Sequence, residues 1–279
     1  MAAETARKCW RTLEPIHGMI YFAPEGPEEY GKVGITNARA GYFASRSAAM
    51  GAVSAETVIA TFFNFNPALV RKSVPSCWGA AEPRQVLDAR LRAADRALHR
   101  LLGEALSSDE VREAAELARS AATAPGMSMS GRPLYAAHTA LPWPGEPHLV
   151  LWHAITILRE FRGDGHVAAL VDDGVSGIEA LVMHAASGDV PADLLRATRA
   201  WSDDEWGVAV AELHDRGWVD EDGRFTETGH AHRAAVEQRT DELAAAPWEH
   251  LGEARCQRLR ELCRPLSRAI VGSGTFGAR

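Results

Sequence analysis

No stretch of this 279-residue chain approaches the roughly 20 consecutive apolar residues that a membrane-spanning helix needs. Residues 1–14 carry no apolar core followed by a small-residue cleavage site, so a cytoplasmic rather than a secreted protein is expected. Cysteine is scarce. Cys9, Cys77, Cys256 and Cys263 are scattered and form no Cys-x-x-Cys pair, which favours reduced structural thiols over a zinc site or a disulfide framework. Positive charge is not in excess: 30 Lys and Arg stand against 37 Asp and Glu, for a formal charge of -7. That balance disfavours broad nucleic-acid binding, though a local basic patch stays open. His-Glu-x-x-His, a Walker lysine motif and a Gly-x-Ser-x-Gly elbow are all missing. Residues 272–277 do spell Gly-x-Gly-x-x-Gly, but with no strand before and no helix after they lack the setting a phosphate loop requires.

What the chain has is helix. Apolar residues make up 46% and charged residues 24%, the balance of a globular protein, and alternating strand patterns are rare. Punctuation divides the chain into helical segments near 4–23, 38–50, 54–65, 83–103, 108–122, 148–162, 164–172, 175–187, 191–200, 202–215 and 228–246, with a last one from Trp248. Asn66-Pro67 opens a further short helix, and residues 123–133 are the best linker candidate. Only residues 217–226 look like β structure, with short apolar arms flanking Asp222-Gly223.

The order helix, helix-turn-helix, hairpin, long helix over residues 175–245 resembles the winged-helix domain of MarR-type regulators. The residues that carry the likeness are Leu194-Leu195, then Ser202 to Trp206 at the recognition-helix position. Leu213 to Val219, Asp222 to Thr226 and Thr228-Gly229 follow them. The resemblance implies a mostly α fold with one wing at about 216–226. An internal repeat extends it. Residues 48–56 align with 185–193, Gly188 lying 137 residues after Gly51, and Ala60-Thr61 matches Ala197-Thr198 at the same spacing. Asp95 then aligns with Asp241, and residues 102–104 with 251–253. The expected architecture is therefore two MarR-like units in one chain. Residues 1–125 form a unit without a wing and 126–279 a unit with one, so that a monomer acts as a pseudo-dimer or pairs further. Chance likeness between alanine-rich helices is the alternative.

The recognition position begins Ser202-Asp203-Asp204-Glu205, and the hairpin carries Asp220, Glu221 and Asp222 against Arg224 alone. Those acids suit a helix N-terminus but repel phosphates. DNA binding is possible yet disfavoured. The expected function is binding of a small aromatic or anionic molecule between the halves, with a ligand-responsive DNA-binding regulator and an enzyme with a His/Glu pocket as alternatives.

The candidate pocket draws on His17, Tyr21, Arg46, Phe62, Phe63, Asn64, Trp152, His153, Arg159, Glu160, Arg162 and His166, apolar walls with a few convergent polar groups. His17 and His153 lie 136 residues apart, within one residue of the repeat spacing, so the duplication would bring them to equivalent places near a central axis. No motif requires a cofactor. A histidine pair is nonetheless compatible with a divalent metal, with axial haem ligation or with acid–base chemistry. The competing reading is a buried network in which Glu160 pairs with Arg159 or Arg162, the histidines bond to backbone and Asp164 caps a helix beginning at His166.

Overall fold

The computed structural model describes residues 2–277. Among them fifteen α-helices follow one another. The first seven are α1 (Ala2–Gly18), α2 (Glu25–Lys32), α3 (Ala38–Ser47), α4 (Ala55–Phe62), α5 (Pro67–Ala80), α6 (Pro83–Leu102) and α7 (Asp109–Ala122). The remaining eight are α8 (Pro133–Thr139), α9 (Pro147–Asp172), α10 (Gly177–Ala186), α11 (Ala192–Arg199), α12 (Asp203–Asp215), α13 (Glu227–Leu243), α14 (Ala246–Leu251) and α15 (Glu253–Gly272). No helix of the described residues is long and apolar enough to cross a membrane.

Local chemistry sets many of the starts. The side chains of Ser54, Asn66, Ser108 and Thr226 accept a backbone N–H from the first turn of the helix each precedes. Ser176 with Glu179 and Ser202 with Glu205 form reciprocal capping boxes. Each cap is worth about 1 kcal/mol. Gly51, Gly103 and Gly252 stop segments with positive φ.

A central body is built from α1, α6, α7, α9, α14 and α15 around one hydrophobic core. Within it α1 lies along α15, and α9 lies along α7. The face of α7 is almost all alanine (Ala114, Ala115, Ala118, Ala121 and Ala122 are buried), which lets α9 approach it closely. Two smaller lobes flank the body. The first holds α2 to α5 against the start of α6, on cores centred on Tyr30 and Phe43. The second holds α10 to α12 and their neighbours around Trp206, Leu213 and Val219.

Several expectations change. The chain is helical through Gly163-Asp164-Gly165, so α9 is one 26-residue helix instead of two. A glycine costs a helix about 1 kcal/mol relative to alanine, but here tertiary contacts outweigh it. A Cβ on Gly165 would sit 3.3 Å from the Leu243 Cβ, so the glycine lets α13 come close. Asp164 does act as a cap, though for a different helix: its Oδ2 accepts the Tyr135 N–H of α8 at 2.9 Å. Helices α2 and α8 were not anticipated, and the final segment divides at Gly252 into α14 and α15. The Asp-Gly segment forms a tight turn with one antiparallel bridge, Val219 to Phe225, where a two-stranded wing was expected. Asp220 N–H donates to Arg224 O at 2.8 Å, and Gly223 takes φ 74°. The Gly-rich C-terminal stretch follows α15 with no strand before it, as its setting suggested.

Candidate functional site

Buried charge gathers where α1, α3 and α9 meet. Glu160, only 1% exposed, sits between two guanidinium groups: Arg159 Nη1 at 3.0 Å and Arg46 Nη2 at 3.5 Å. Burial alone would raise its pKa, yet Arg159 and Arg46 hold it far below the carboxylate range. Arg46 also donates to the Tyr42 hydroxyl at 3.2 Å and stacks over Phe62 at 4.3 Å. Glu14 approaches Arg159 at 3.7 Å, but burial dominates and pushes its pKa up. Tyr42 shows the opposite balance, its burial outweighed by Arg46 and Arg199, which lower its phenol pKa.

Beside this pair stands a polar relay. The Thr156 hydroxyl donates to Trp152 O at 2.9 Å, so its proton is already committed. It can only accept from His17 Nδ1–H, 3.0 Å away. That fixes the tautomer: His17 Nε2 carries a lone pair and accepts the Tyr21 hydroxyl proton at 2.9 Å. Burial, with Arg159 and Arg90 nearby, keeps His17 neutral by depressing its pKa well below the usual histidine value. Trp152 stacks on the His17 ring at a centroid distance of 6.2 Å.

Tyr21, Glu14 and Arg159 reach from this cluster into an open cleft of about 500 Å³. Its walls come from α1, α3, α9, α11 and the segment after α15. Aromatic rings line it (Trp10, Tyr21, Phe22, Tyr42, Phe65 and Phe276), together with the guanidinium groups of Arg11, Arg39, Arg159 and Arg199. Glu14 is the one carboxylate in the lining. Among the described residues no carboxylate lies within ion-pair distance of Arg11, Arg39 or Arg199. Arg39 spends its hydrogen bonds on the carbonyls of Thr198, at 2.6 Å, and Ala197, at 3.2 Å, at the C-terminal end of α11. Arg199 lies over Phe65 at 4.8 Å.

The twelve residues singled out by sequence divide among several places. Tyr21 and Arg159 face the cleft, and His17, Arg46, Phe62, Trp152 and Glu160 stand directly behind it. Phe63 and Asn64 belong to the contact between the two lobes. Asn64 O accepts Trp201 Nε1–H at 3.0 Å, and Phe63 holds an unusual φ of 60° with its carbonyl against Gly177. His153 faces Trp143 edge-on at 4.9 Å, and burial lowers its pKa to about 4. No hydrogen bond or ring contact joins it to His17, because the two imidazoles engage different neighbours around α9. Arg162 pairs with Asp241 at 2.6 Å and His166 bonds to Thr240 at 2.9 Å, both tying α9 to α13. Sequence reasoning missed Trp10, Arg11, Arg39, Tyr42, Phe65, Arg199 and Phe276. The one available signal was Tyr42 lying four residues before Arg46, on the same helical face.

At the lobe contact the starts of α5 and α12 meet. Asn66, which caps α5, donates to Glu205 at 3.2 Å, and its N–H donates to Arg199 O at 3.0 Å. The exposed residues of α12 are Asp203, Asp204, Glu205, Gly207, Val208, Ala211, Glu212, His214 and Asp215, with no lysine or arginine among them.

A family model described as a helix-turn-helix family matches residues 6–277. The chain belongs to this helix-turn-helix family. The match runs through both lobes and the central body together, so the family is defined by the whole arrangement and not by the α10 to α12 segment alone. No curated protein and no solved structure matches the chain.

Proposed function

We propose that this helix-turn-helix protein is a single-chain pseudo-dimer of two MarR-like units, residues 1–125 and 126–279, that binds a small aromatic anion in the cleft between them. The reciprocal packing supports the duplication. Helix α1 of the first unit lies on α15 of the second, while α9 of the second lies on α7 of the first; α2 packs on α6 as α9 packs on α13. The Asp-Gly turn with its single bridge is then a reduced wing.

One observation carries the ligand reading. The cleft is walled by six aromatic rings and four arginines, and only one of the four, Arg159, has carboxylate partners, Glu14 and Glu160. Guanidinium groups left without carboxylate partners in a partly desolvated cleft favour an anion, and ring faces favour a planar one. Arg39 and Arg199 would take the charge while Tyr42 and Phe65 take the ring.

DNA binding is weakened in this reading. A dimeric helix-turn-helix protein reads two half-sites about 34 Å apart. With Asn66 bonded to Glu205, the starts of α5 and α12 are neighbours, which does not suit two major grooves one turn apart. A second reading, a DNA-binding regulator, is favoured by family membership. It would have to use one lobe at a time, for instance through the exposed Arg71 and Lys72 of α5.

Calorimetric titration of the full chain with benzoate, phenyl phosphate and benzyl alcohol tests the reading. Saturable 1:1 binding of one or both anions is expected, with at least tenfold weakening in Arg199→Ala and no comparable affinity for the neutral alcohol. Absence of binding by both anions, or affinity unchanged in Arg199→Ala, would overturn it. A gel-shift assay at low salt with the DNA upstream of the coding sequence separates the second reading, which requires a tight, salt-sensitive shift.

A further inference from the structure

Away from the cleft, three metal-ligating side chains converge where the C-terminal part of α6 meets the start of α9. Asp95 and His99 lie four residues apart on one face of α6, and His148 is the second residue of α9. His148 Nε2 is 2.7 Å from Asp95 Oδ1, and His99 Nε2 is 3.5 Å from the same oxygen. One ligand atom from each residue lies within 4.8 Å of the other two. The imidazole rings stand edge-to-face with centroids 5.0 Å apart. Of the described residues this is the one set of three or more His, Cys, Asp or Glu with metal-ligand spacing.

We propose that Asp95, His99 and His148 form a divalent transition-metal site of the two-histidine, one-carboxylate type, fitted to zinc. Ligand atoms about 2.0–2.1 Å from a tetrahedral zinc sit roughly 3.4 Å from one another. The His99 to Asp95 separation already has that value. The His148 to Asp95 separation must lengthen from 2.7 Å toward that value, His148 exchanging its hydrogen bond to Asp95 for a bond to the metal. The burial pattern suits this. His148 is 7% exposed and fixed by the helix junction, while His99 and Asp95 keep the solvent access an incoming ion needs. Nitrogen and oxygen donors without a thiolate select zinc, cobalt or nickel over copper(I), and three protein ligands leave a coordination position to water. Bound metal would clamp α6 of the first half to α9 of the second. The site is distinct from the His17 and His153 pair and does not depend on the cleft binding a ligand.

The test is calorimetric titration of chelator-stripped full chain with Zn²⁺, alongside Co²⁺ titration followed by visible absorption. A 1:1 micromolar site and a cobalt ligand-field band are expected. His99→Ala, an exposed position that leaves the core intact, should weaken binding at least tenfold and abolish the band, and Asp95→Asn should do the same. Circular dichroism of both variants checks that they fold. Zinc binding weaker than millimolar, or affinity equal in wild type and His99→Ala, would overturn the proposal. The second result would assign the bound metal to other surface histidines.

Discussion

Replacing Glu160 by Gln removes the buried carboxylate between Arg46 and Arg159 at the meeting point of α1, α3 and α9 while keeping its shape. In the wild type Glu160 is 1% exposed and balances the buried Arg46 and the half-buried Arg159, which reaches the cleft. Breaking a buried ion pair from one side leaves an uncompensated charge and costs about 3–5 kcal/mol. The structure places this case near the lower end. Arg159 keeps Glu14 at 3.7 Å, although burial raises the Glu14 pKa and weakens that partner. Arg46 keeps the Tyr42 hydroxyl and the Phe62 ring. About 3 kcal/mol in a chain of this size lowers the melting temperature by roughly 6–12 °C, since 1 kcal/mol corresponds to about 2–4 °C in somewhat shorter domains. Differential scanning calorimetry at pH 7 reads the change. Arg46→Met combined with Glu160→Gln should recover part of the loss, because the double variant no longer strands that guanidinium. A Glu160→Gln melting temperature within about 1 °C of wild type would refute the assignment of Glu160 as the buried counter-ion.

Acid should destabilise the protein well above the carboxylate range. Burial lowers the His138 and His153 pKa values to about 4, below the 6.5 of an unfolded chain, so their contribution is complete above pH 6.5 and is lost as pH falls toward 4. Between pH 7 and pH 5 each contributes up to about 2 kcal/mol; urea unfolding at the two pH values should show a combined loss on the order of 3 kcal/mol, and His153→Phe should shrink it. Gly177→Ala should disrupt the lobe contact. A Cβ there would lie 2.1 Å from the Phe63 carbonyl oxygen, so the start of α10 must move away, and faster amide exchange at Phe63 to Asn66 would report it. Gly229→Ala meets a similar obstacle, with Trp218 O 1.8 Å from the added atom, and should lower the melting temperature by several degrees without changing exchange at the lobe contact.

The sequence by itself determined most of the helices and many of their limits, because those depend on neighbours within a few residues. Ser54, Asn66 and Ser202 bond to amides two or three positions on, and Gly51 and Gly103 take conformations other residues resist. The helical content and the burial of most of the segment from Leu149 to Phe161 followed from such local patterns. Tertiary structure decided what composition could not. It carried α9 unbroken through two glycines because α13 needed the space, and it turned Asp164 toward another helix. It separated His17 from His153, which equal spacing had suggested would meet, since residues around one buried helix face different partners. It also brought Arg39 and Tyr42 of α3 to Arg199 of α11, some 160 positions along the chain. A cleft between lobes is a property of how helices are stacked. Its lining residues share no period or motif, and only the fold makes them neighbours.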